Sequence, residues 1–199
     1  MKIGIVTIYN VPNYGAILQA YSLAEYLRRE GHEVVLFNVD SPKRHPYIYK
    51  LKRLFKLGFI DKFQQRNYPA ITSNLNEEVD IYMVGSDQVW NIEITQADYD
   101  KYFLAFALHN RKVSYAASFG NNEWDFPSKR NEIRGFLSAF KYITVREEMG
   151  VNILKDEFNM KGNCVLDPCF LLGGNDFLFG KIIESKKILV SYKFFAVFL

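Results

Sequence analysis

One arginine has the type and setting expected of an anion-binding residue. Arg146 directly follows the short apolar run 142–145 and precedes a stretch with helical spacing. A cation at a helix N-terminus is unfavourable unless an anion lies there too. The planar guanidinium can bind a carboxylate or phosphate through two parallel hydrogen bonds. The alternative is a salt bridge to Glu147, Glu148 or Asp167, and the sequence leaves both interpretations open.

Other polar clusters also follow apolar runs. One of them contains a flexible glycine together with a hydroxyl, a carboxylate, a carboxamide and an aromatic ring. Its residues are Gly85, Ser86, Asp87, Gln88 and Trp90. These groups suit a sugar that needs a hydrogen-bond acceptor and a stacking surface, although an Asx turn that ends a strand is the alternative. A second cluster before a helical stretch, Asn13, Tyr14 and Gly15, is either a binding loop or only a turn with an N-cap. It lacks the G-x-G-x-x-G spacing, so a standard dinucleotide site is not expected.

The elements that must position these residues alternate along the chain. Short apolar runs predict six strands, at residues 3–8, 33–39, 79–84, 112–117, 142–145 and 163–166. Apolar residues at helical spacing predict helices at 16–30, 128–140 and 147–158. Alternating strands and helices indicate an α/β fold with a doubly wound, mostly parallel, Rossmann-like sheet. Ligands of such sheets bind outside the carboxyl ends of the strands, where Ser118 and Asp167 also lie. Asp167 precedes a proline, so it could instead only terminate its strand.

Composition excludes several classes of protein. The 199 residues are 49% hydrophobic and 24% charged with a net charge of +3, which excludes a disordered chain and does not indicate a nucleic-acid partner. The two cysteines, Cys164 and Cys169, are five apart and fit neither a redox motif nor a zinc pair, so we expect a reducing cytoplasm. We expect neither a signal peptide nor a membrane span, because the apolar start of the sequence is too short for the former and no apolar stretch approaches the ~20 residues of the latter.

The positive charge is concentrated in residues 42–60. Basic residues interleave there with apolar ones and no acidic residue intervenes: Lys43, Arg44, His45, Lys50, Lys52, Arg53 and Lys56. One interpretation is peripheral contact with an anionic membrane surface through residues 43–59, or with a lipid-linked pyrophosphate substrate. The favoured alternative is an ordinary surface helix whose apolar side packs on the sheet.

Five segments, in order, resemble the polysaccharide pyruvyl transferase family. They are Asn13-Tyr-Gly-Ala-Ile-Leu-Gln-Ala-Tyr21, Val84-Gly-Ser-Asp-Gln-Val-Trp-Asn91, Val113-Ser-Tyr-Ala-Ala-Ser-Phe-Gly120, Ile143-Thr-Val-Arg-Glu147 with Gly150, and Val165-Leu-Asp-Pro168. The resemblance implies transfer of a pyruvyl group from phosphoenolpyruvate to a glycan or lipid-linked saccharide, with no cofactor. It also implies that Arg146 holds the donor's carboxylate or phosphate and that Asp87 accepts a proton from the acceptor hydroxyl.

The same resemblance implies a GT-B arrangement of two Rossmann-like halves across a cleft. Residues 1–185 would form the N-terminal half, and residues 186–199 would begin a second, truncated domain that carries further donor ligands, including a histidine. Two alternatives remain: a glycosyltransferase that uses a nucleotide-sugar on the same scaffold, and a non-catalytic truncated fragment that binds a glycan or a partner.

Overall fold

A six-stranded sheet with only parallel pairs lies at the centre of the protein. The computed structural model describes residues 1–40, 60–108 and 111–172. The strands are β1 (Lys2–Val6), β2 (Glu33–Phe37), β3 (Ala70–Thr72), β4 (Ile81–Val84), β5 (Lys112–Ser114) and β6 (Phe140–Tyr142). Their order is β3-β2-β1-β4-β5-β6, so the direction of winding reverses between β1 and β4. The predicted α/β class with a mostly parallel, Rossmann-like sheet is confirmed.

Helices cover both faces of this sheet. They are α1 (Tyr14–Arg29), α2 (60–67), α3 (Ile92–Thr95), α4 (Tyr99–Tyr102), α5 (Arg130–Ser138) and α6 (Glu148–Phe158). A short parallel pair, β7 (Thr144–Val145) and β8 (Asn163–Cys164), flanks α6. One core cluster joins α1 and α2 to one face of the sheet, and a second joins α5 and α6 to the other. Because the strands are buried on both faces of the sheet, their sequences are continuous apolar runs.

Helix α1 shows how local sequence sets the position of an element beside the site. The Asn13 side chain accepts hydrogen bonds from the backbone of Gly15 and Ala16 and thereby caps the first turn. Arg28 lies in the last turn, and the chain leaves the helix through Gly31 at a φ of 83°. Because a left-handed φ favours glycine, this residue ends the helix where the sequence predicts.

The structure differs from the predicted elements at several points. The predicted helix 128–140 begins as a 3-10 turn, ends at Ser138, and gives way to β6 at Phe140. The predicted strand 142–145 is in fact the end of β6 followed by β7. Strand β3 and helices α2, α3 and α4 were not predicted. Almost all of the basic segment 42–60, and the predicted boundary between residues 185 and 186, lie outside the described residues.

Candidate active site

The loop after β4 lies where the sheet reverses its winding. Gly85 continues the pairing with β1 by donating a backbone hydrogen bond to the Val6 carbonyl at 2.9 Å. Behind it, the Thr7 hydroxyl donates to the Ser86 carbonyl at 2.6 Å, and Gln19 donates to the Thr7 hydroxyl at 3.0 Å. The loop is therefore anchored to β1 and α1 at the position where open α/β sheets bind their ligands.

Asp87 has a strained backbone and a half-buried carboxyl group. Its φ of 80° is a conformation that non-glycine residues rarely adopt. Its Oδ1 accepts a hydrogen bond of 2.8 Å from the backbone of Gln88. Burial raises the pKa of this carboxyl group, although that hydrogen bond and the charge of Arg146 act in the opposite direction. A carboxyl group with a raised pKa is a better proton acceptor than an ordinary aspartate once it is ionised.

Arg146 is bound to carboxylates of its own chain. Its Nε donates to Glu147 Oε1 at 2.7 Å, and its Nη1 lies 3.4 Å from Asp167 Oδ2. Burial alone would lower the pKa of the guanidinium, but the Glu147 hydrogen bond and charge, followed by the charges of Asp167 and Asp87, raise it. The salt-bridge alternative therefore describes Arg146 in this structure, with Glu147 and Asp167 as the partners.

Ser86 and Asp167 complete the cluster. The Ser86 side chain is fully buried, and its hydroxyl donates to Asp167 Oδ2 at 2.8 Å. The other carboxylate oxygen of Asp167 accepts from the backbone of Cys169 at 2.9 Å, so Asp167 also caps the short 3-10 helix Pro168–Phe170. Four residues predicted from three separate strand ends, Ser86, Asp87, Arg146 and Asp167, thus lie together.

The backbone holds this cluster together. Asp87 and Ala117 form an isolated parallel bridge, and Ala117 forms another with Val145, immediately before Arg146. Ala117 also accepts a hydrogen bond of 3.0 Å from the Arg146 backbone. The loops after β4 and β5 and strand β7 therefore run side by side, and this arrangement brings Asp87 and Arg146 close together.

Other predicted site residues have structural partners. Trp90 is fully buried, and its indole nitrogen donates to the Tyr102 carbonyl at 3.3 Å. Its predicted use as a stacking surface for a sugar is therefore wrong, because the ring belongs to the core. Ser118 is also fully buried, and its hydroxyl accepts from the backbone of Gly120 at 3.0 Å. The side chain of Gln88 remains half-exposed and accepts a hydrogen bond from Asn91 at 3.0 Å.

The residues predicted at the start of α1 serve the helix itself. Asn13 Oδ1 accepts from the backbone of Gly15 at 2.8 Å and of Ala16 at 3.3 Å. Tyr14 is the first residue of α1, and its half-buried ring packs against the core cluster on that face. The turn with an N-cap, which was the alternative interpretation, is therefore present, and a role in binding stays a prediction for these three residues.

A polar surface cavity of about 560 Å³, shallow and largely open to solvent, lies beside the same edge of the sheet. Carboxylates, carboxamides and one glycine line it: Glu93, Gly120, Asn121, Asn122, Glu123 and Asp125. Four of these six residues, 120–123, follow the predicted strand 112–117, but the sequence did not indicate a cavity there. Gly120 places the cavity beside Gln88, the residue that follows Asp87, because a Cβ at position 120 would lie 2.4 Å from Gln88 Oε1.

Within residues 1–40, 60–108 and 111–172, no group of three or more histidine, cysteine, aspartate or glutamate side chains could hold a metal ion. The described part of the chain contains no helix of the length and hydropathy that a membrane crossing requires.

Comparison with known proteins identifies the family. The model of the family described as "Polysaccharide pyruvyl transferase" matches residues 13–193. The chain belongs to the polysaccharide pyruvyl transferase family. A search of curated proteins finds no match. The matched range begins at Asn13 and contains every predicted site residue, so the loops of Asp87 and Arg146 are part of the pyruvyl transferase domain. Membership of this family implies that the chain is a transferase that acts on a polysaccharide acceptor.

Proposed function

We propose that this chain transfers a pyruvyl group from phosphoenolpyruvate to a sugar of a cell-surface polysaccharide or its precursor, and that the product is a cyclic ketal. The observation that carries the proposal is the meeting of Arg146 and Asp87 at the carboxyl edge of the sheet, in a chain of this family. The cation would bind the anionic donor, and the carboxylate would accept the proton of the attacking hydroxyl. No cofactor is required, because the donor itself is an activated enol phosphate.

The proposed reaction balances without a redox step. An acid protonates the methylene carbon of phosphoenolpyruvate, and the adjacent carbon becomes cationic. The oxygen of a first sugar hydroxyl forms a bond to that carbon while its proton passes to Asp87. The carbon–oxygen bond to phosphate then breaks, and phosphate leaves with the electron pair. A second hydroxyl attacks the same carbon and closes the ketal, and its proton passes to the released phosphate. Proton transfer of this kind typically contributes about 10²- to 10⁴-fold to the rate.

Arg146 is suited to the donor because its charge lies close to the proton acceptor without being fully buried. Its side chain is 29% exposed, so an incoming anion can reach the guanidinium from solvent. A guanidinium binds a carboxylate or phosphate through two parallel hydrogen bonds and does not lose its proton. The donor ligands that the family resemblance assigns to a second Rossmann-like half, in a GT-B arrangement with residues 1–185, would complete this site.

The polar cavity is suited to the acceptor. Asn121 and Asn122 offer carboxamides, and Glu93, Glu123 and Asp125 offer carboxylates. Such groups form hydrogen bonds with the hydroxyl groups of a sugar, whereas the excess of carboxylates would repel an anionic donor. We therefore assign the glycan to this cavity and the donor to Arg146.

Calorimetric titration of the chain with phosphoenolpyruvate, a UDP-sugar and a GDP-sugar tests the proposal. We expect phosphoenolpyruvate to bind and the nucleotide-sugars not to. Arg146→Ala should weaken that binding by about tenfold or more, since it removes a charge-assisted pair of hydrogen bonds. Arg134→Ala is the matched control, because it removes an exposed arginine of α5, a helix that contributes no residue to the cluster. Equal binding of phosphoenolpyruvate by wild type and Arg146→Ala would remove Arg146 from the site, and binding of only the nucleotide-sugars would favour the glycosyltransferase.

A further inference from the structure

Glu147 occupies the place that an anionic ligand of Arg146 would need. Its carboxylate accepts the hydrogen bond of the guanidinium Nε at 2.7 Å, which is the shorter of the two carboxylate contacts of Arg146. Glu147 is also the N-cap residue of α6, yet its side chain makes no capping hydrogen bond to that helix. The carboxylate is therefore directed to Arg146 rather than to the backbone N–H groups in the first turn of that helix.

The carboxylates around Arg146 affect whether a further anion can bind there. Three carboxyl groups, those of Asp87, Glu147 and Asp167, act on the one guanidinium. An additional anion with a carboxylate and a phosphate would enter a cluster that already has an excess of negative charge, and like charges at contact distance are strongly unfavourable. At least one carboxylate must give up its contact with Arg146 before such a ligand binds.

Glu147 is the carboxylate that can leave most easily. Its side chain is 40% exposed, against 20% for Asp167, so water can solvate it once the contact is broken. Asp167 is further held by the buried Ser86 hydroxyl and by the backbone of Cys169. Asp87 is held by the backbone of Gln88. Among the described residues, Arg146 is the only hydrogen-bond or ion-pair partner of the Glu147 side chain.

We propose that Glu147 is a positioning residue which holds the Arg146 guanidinium in the absence of ligand and is displaced from it by the anion of the donor. The inference rests on the proposed function, because it takes phosphoenolpyruvate as the ligand of Arg146. Exchange of one anion for another keeps the guanidinium paired throughout, so the half-buried cation is never left without a counter-ion.

Glu147→Gln tests the exchange, since it keeps the size of the side chain and removes its charge. Calorimetry should give a dissociation constant for phosphoenolpyruvate that is about three- to tenfold lower than that of wild type, because the donor no longer competes with a carboxylate. Glu148→Gln is the matched control. It removes the same charge one residue further along, from an exposed side chain of α6, and should leave the dissociation constant within about twofold of wild type.

A second measurement follows Arg146 without the donor. Phenylglyoxal labels arginine side chains, and peptide mass spectrometry gives the labelling rate of Arg146 alone. We expect faster labelling in Glu147→Gln than in wild type or Glu148→Gln, because loss of the carboxylate frees the guanidinium. Labelling at the wild-type rate would overturn the inference.

The titration also separates this inference from the proposed function. Equal dissociation constants of phosphoenolpyruvate for wild type and Glu147→Gln would overturn the role of Glu147 but not the proposed function. Weaker binding of phosphoenolpyruvate by Glu147→Gln would also overturn the proposal that the donor displaces Glu147 from Arg146. Absence of binding in wild type and in every variant would overturn both the proposed donor and this use of Glu147.

Discussion

Replacement of Gly120 by alanine should destabilise the loop that connects the candidate site to the polar cavity. Two separate costs are visible in the structure. Gly120 has a φ of 76°, where a Cβ costs about 1–2 kcal/mol. That Cβ would also lie 2.4 Å from Gln88 Oε1 and 2.7 Å from Asn91 Nδ2. Both atoms are the ends of flexible side chains that must shift, and we expect the shift to break their mutual hydrogen bond, worth about 0.5–1.5 kcal/mol. We expect a loss of about 1.5–3.5 kcal/mol in the free energy of unfolding.

Two other glycines separate these costs. Gly31 has nearly the same backbone conformation, with a φ of 83°, but a Cβ there would meet no heavy atom within 4 Å. Gly31→Ala should therefore show only the backbone cost of about 1–2 kcal/mol. Gly135 lies inside α5, and a Cβ there also meets nothing within 4 Å. Gly135→Ala should stabilise the protein by about 0.5–1 kcal/mol, because alanine is the better helix former.

Equilibrium unfolding in urea measures all three variants on one scale. The steric part is tested further by Gln88→Ala, which should reduce the cost of Gly120→Ala because it removes the atom that the new Cβ would meet. If Gly120→Ala loses no more stability than Gly31→Ala, the contact of the new Cβ with Gln88 does not change the free energy of unfolding. If the urea midpoint of Gly120→Ala equals that of wild type, the expected backbone cost of a Cβ at this φ is refuted as well.

Two further variants test the loop and the helix beside it. Burial raises the pKa of Asp87 above its value of 3.8 in an unfolded chain, so ionisation costs stability as the pH rises through the folded-state pKa. Asp87→Asn should therefore raise the melting temperature at pH 7 and not at pH 3, and an equal gain at both pH values would contradict the assignment. Asn13→Ala should lose about 1 kcal/mol of stability and Asn13→Ser only a few tenths, since serine also caps a helix. Equal urea midpoints for the two Asn13 variants would show that the cap contributes little.

The sequence predicted the location of the site from two general rules. Alternating apolar strands and amphipathic helices indicate a parallel sheet, and parallel strands end at a common edge. These rules placed Ser86, Asp87, Arg146 and Asp167 at that edge, although Ser86 and Arg146 are 60 residues apart. The structure brings all four together. The rules work because they depend on backbone direction, which the apolar pattern determines, and not on side-chain contacts.

Side-chain partners were beyond these rules. Trp90 follows a polar turn, so the sequence favours an exposed ring, but the turn directs it into the core against Phe103, at a ring distance of 5.5 Å. The role of Glu147 depends on a choice between Arg146 and the first turn of α6, which sequence spacing does not distinguish. Strand β3 has only three residues, too few for an apolar period, so it was not predicted.

The backbone and the side chains of the cluster are held by different interactions, and this difference decides what the proposed variants can test. Asp87 and Val145 are both tied to Ala117 by backbone bridges, which no side-chain substitution at Asp87, Arg146 or Glu147 removes. The Arg146 side chain, in contrast, is held by ion pairs with Glu147, whose side chain is 40% exposed, and with the less exposed Asp167. Exposed ion pairs are worth about 1 kcal/mol or less, so the pair with Glu147 can exchange when a ligand arrives. Changes in donor binding by Arg146→Ala and Glu147→Gln should therefore report the chemistry of the guanidinium, while the positions of the loops stay the same.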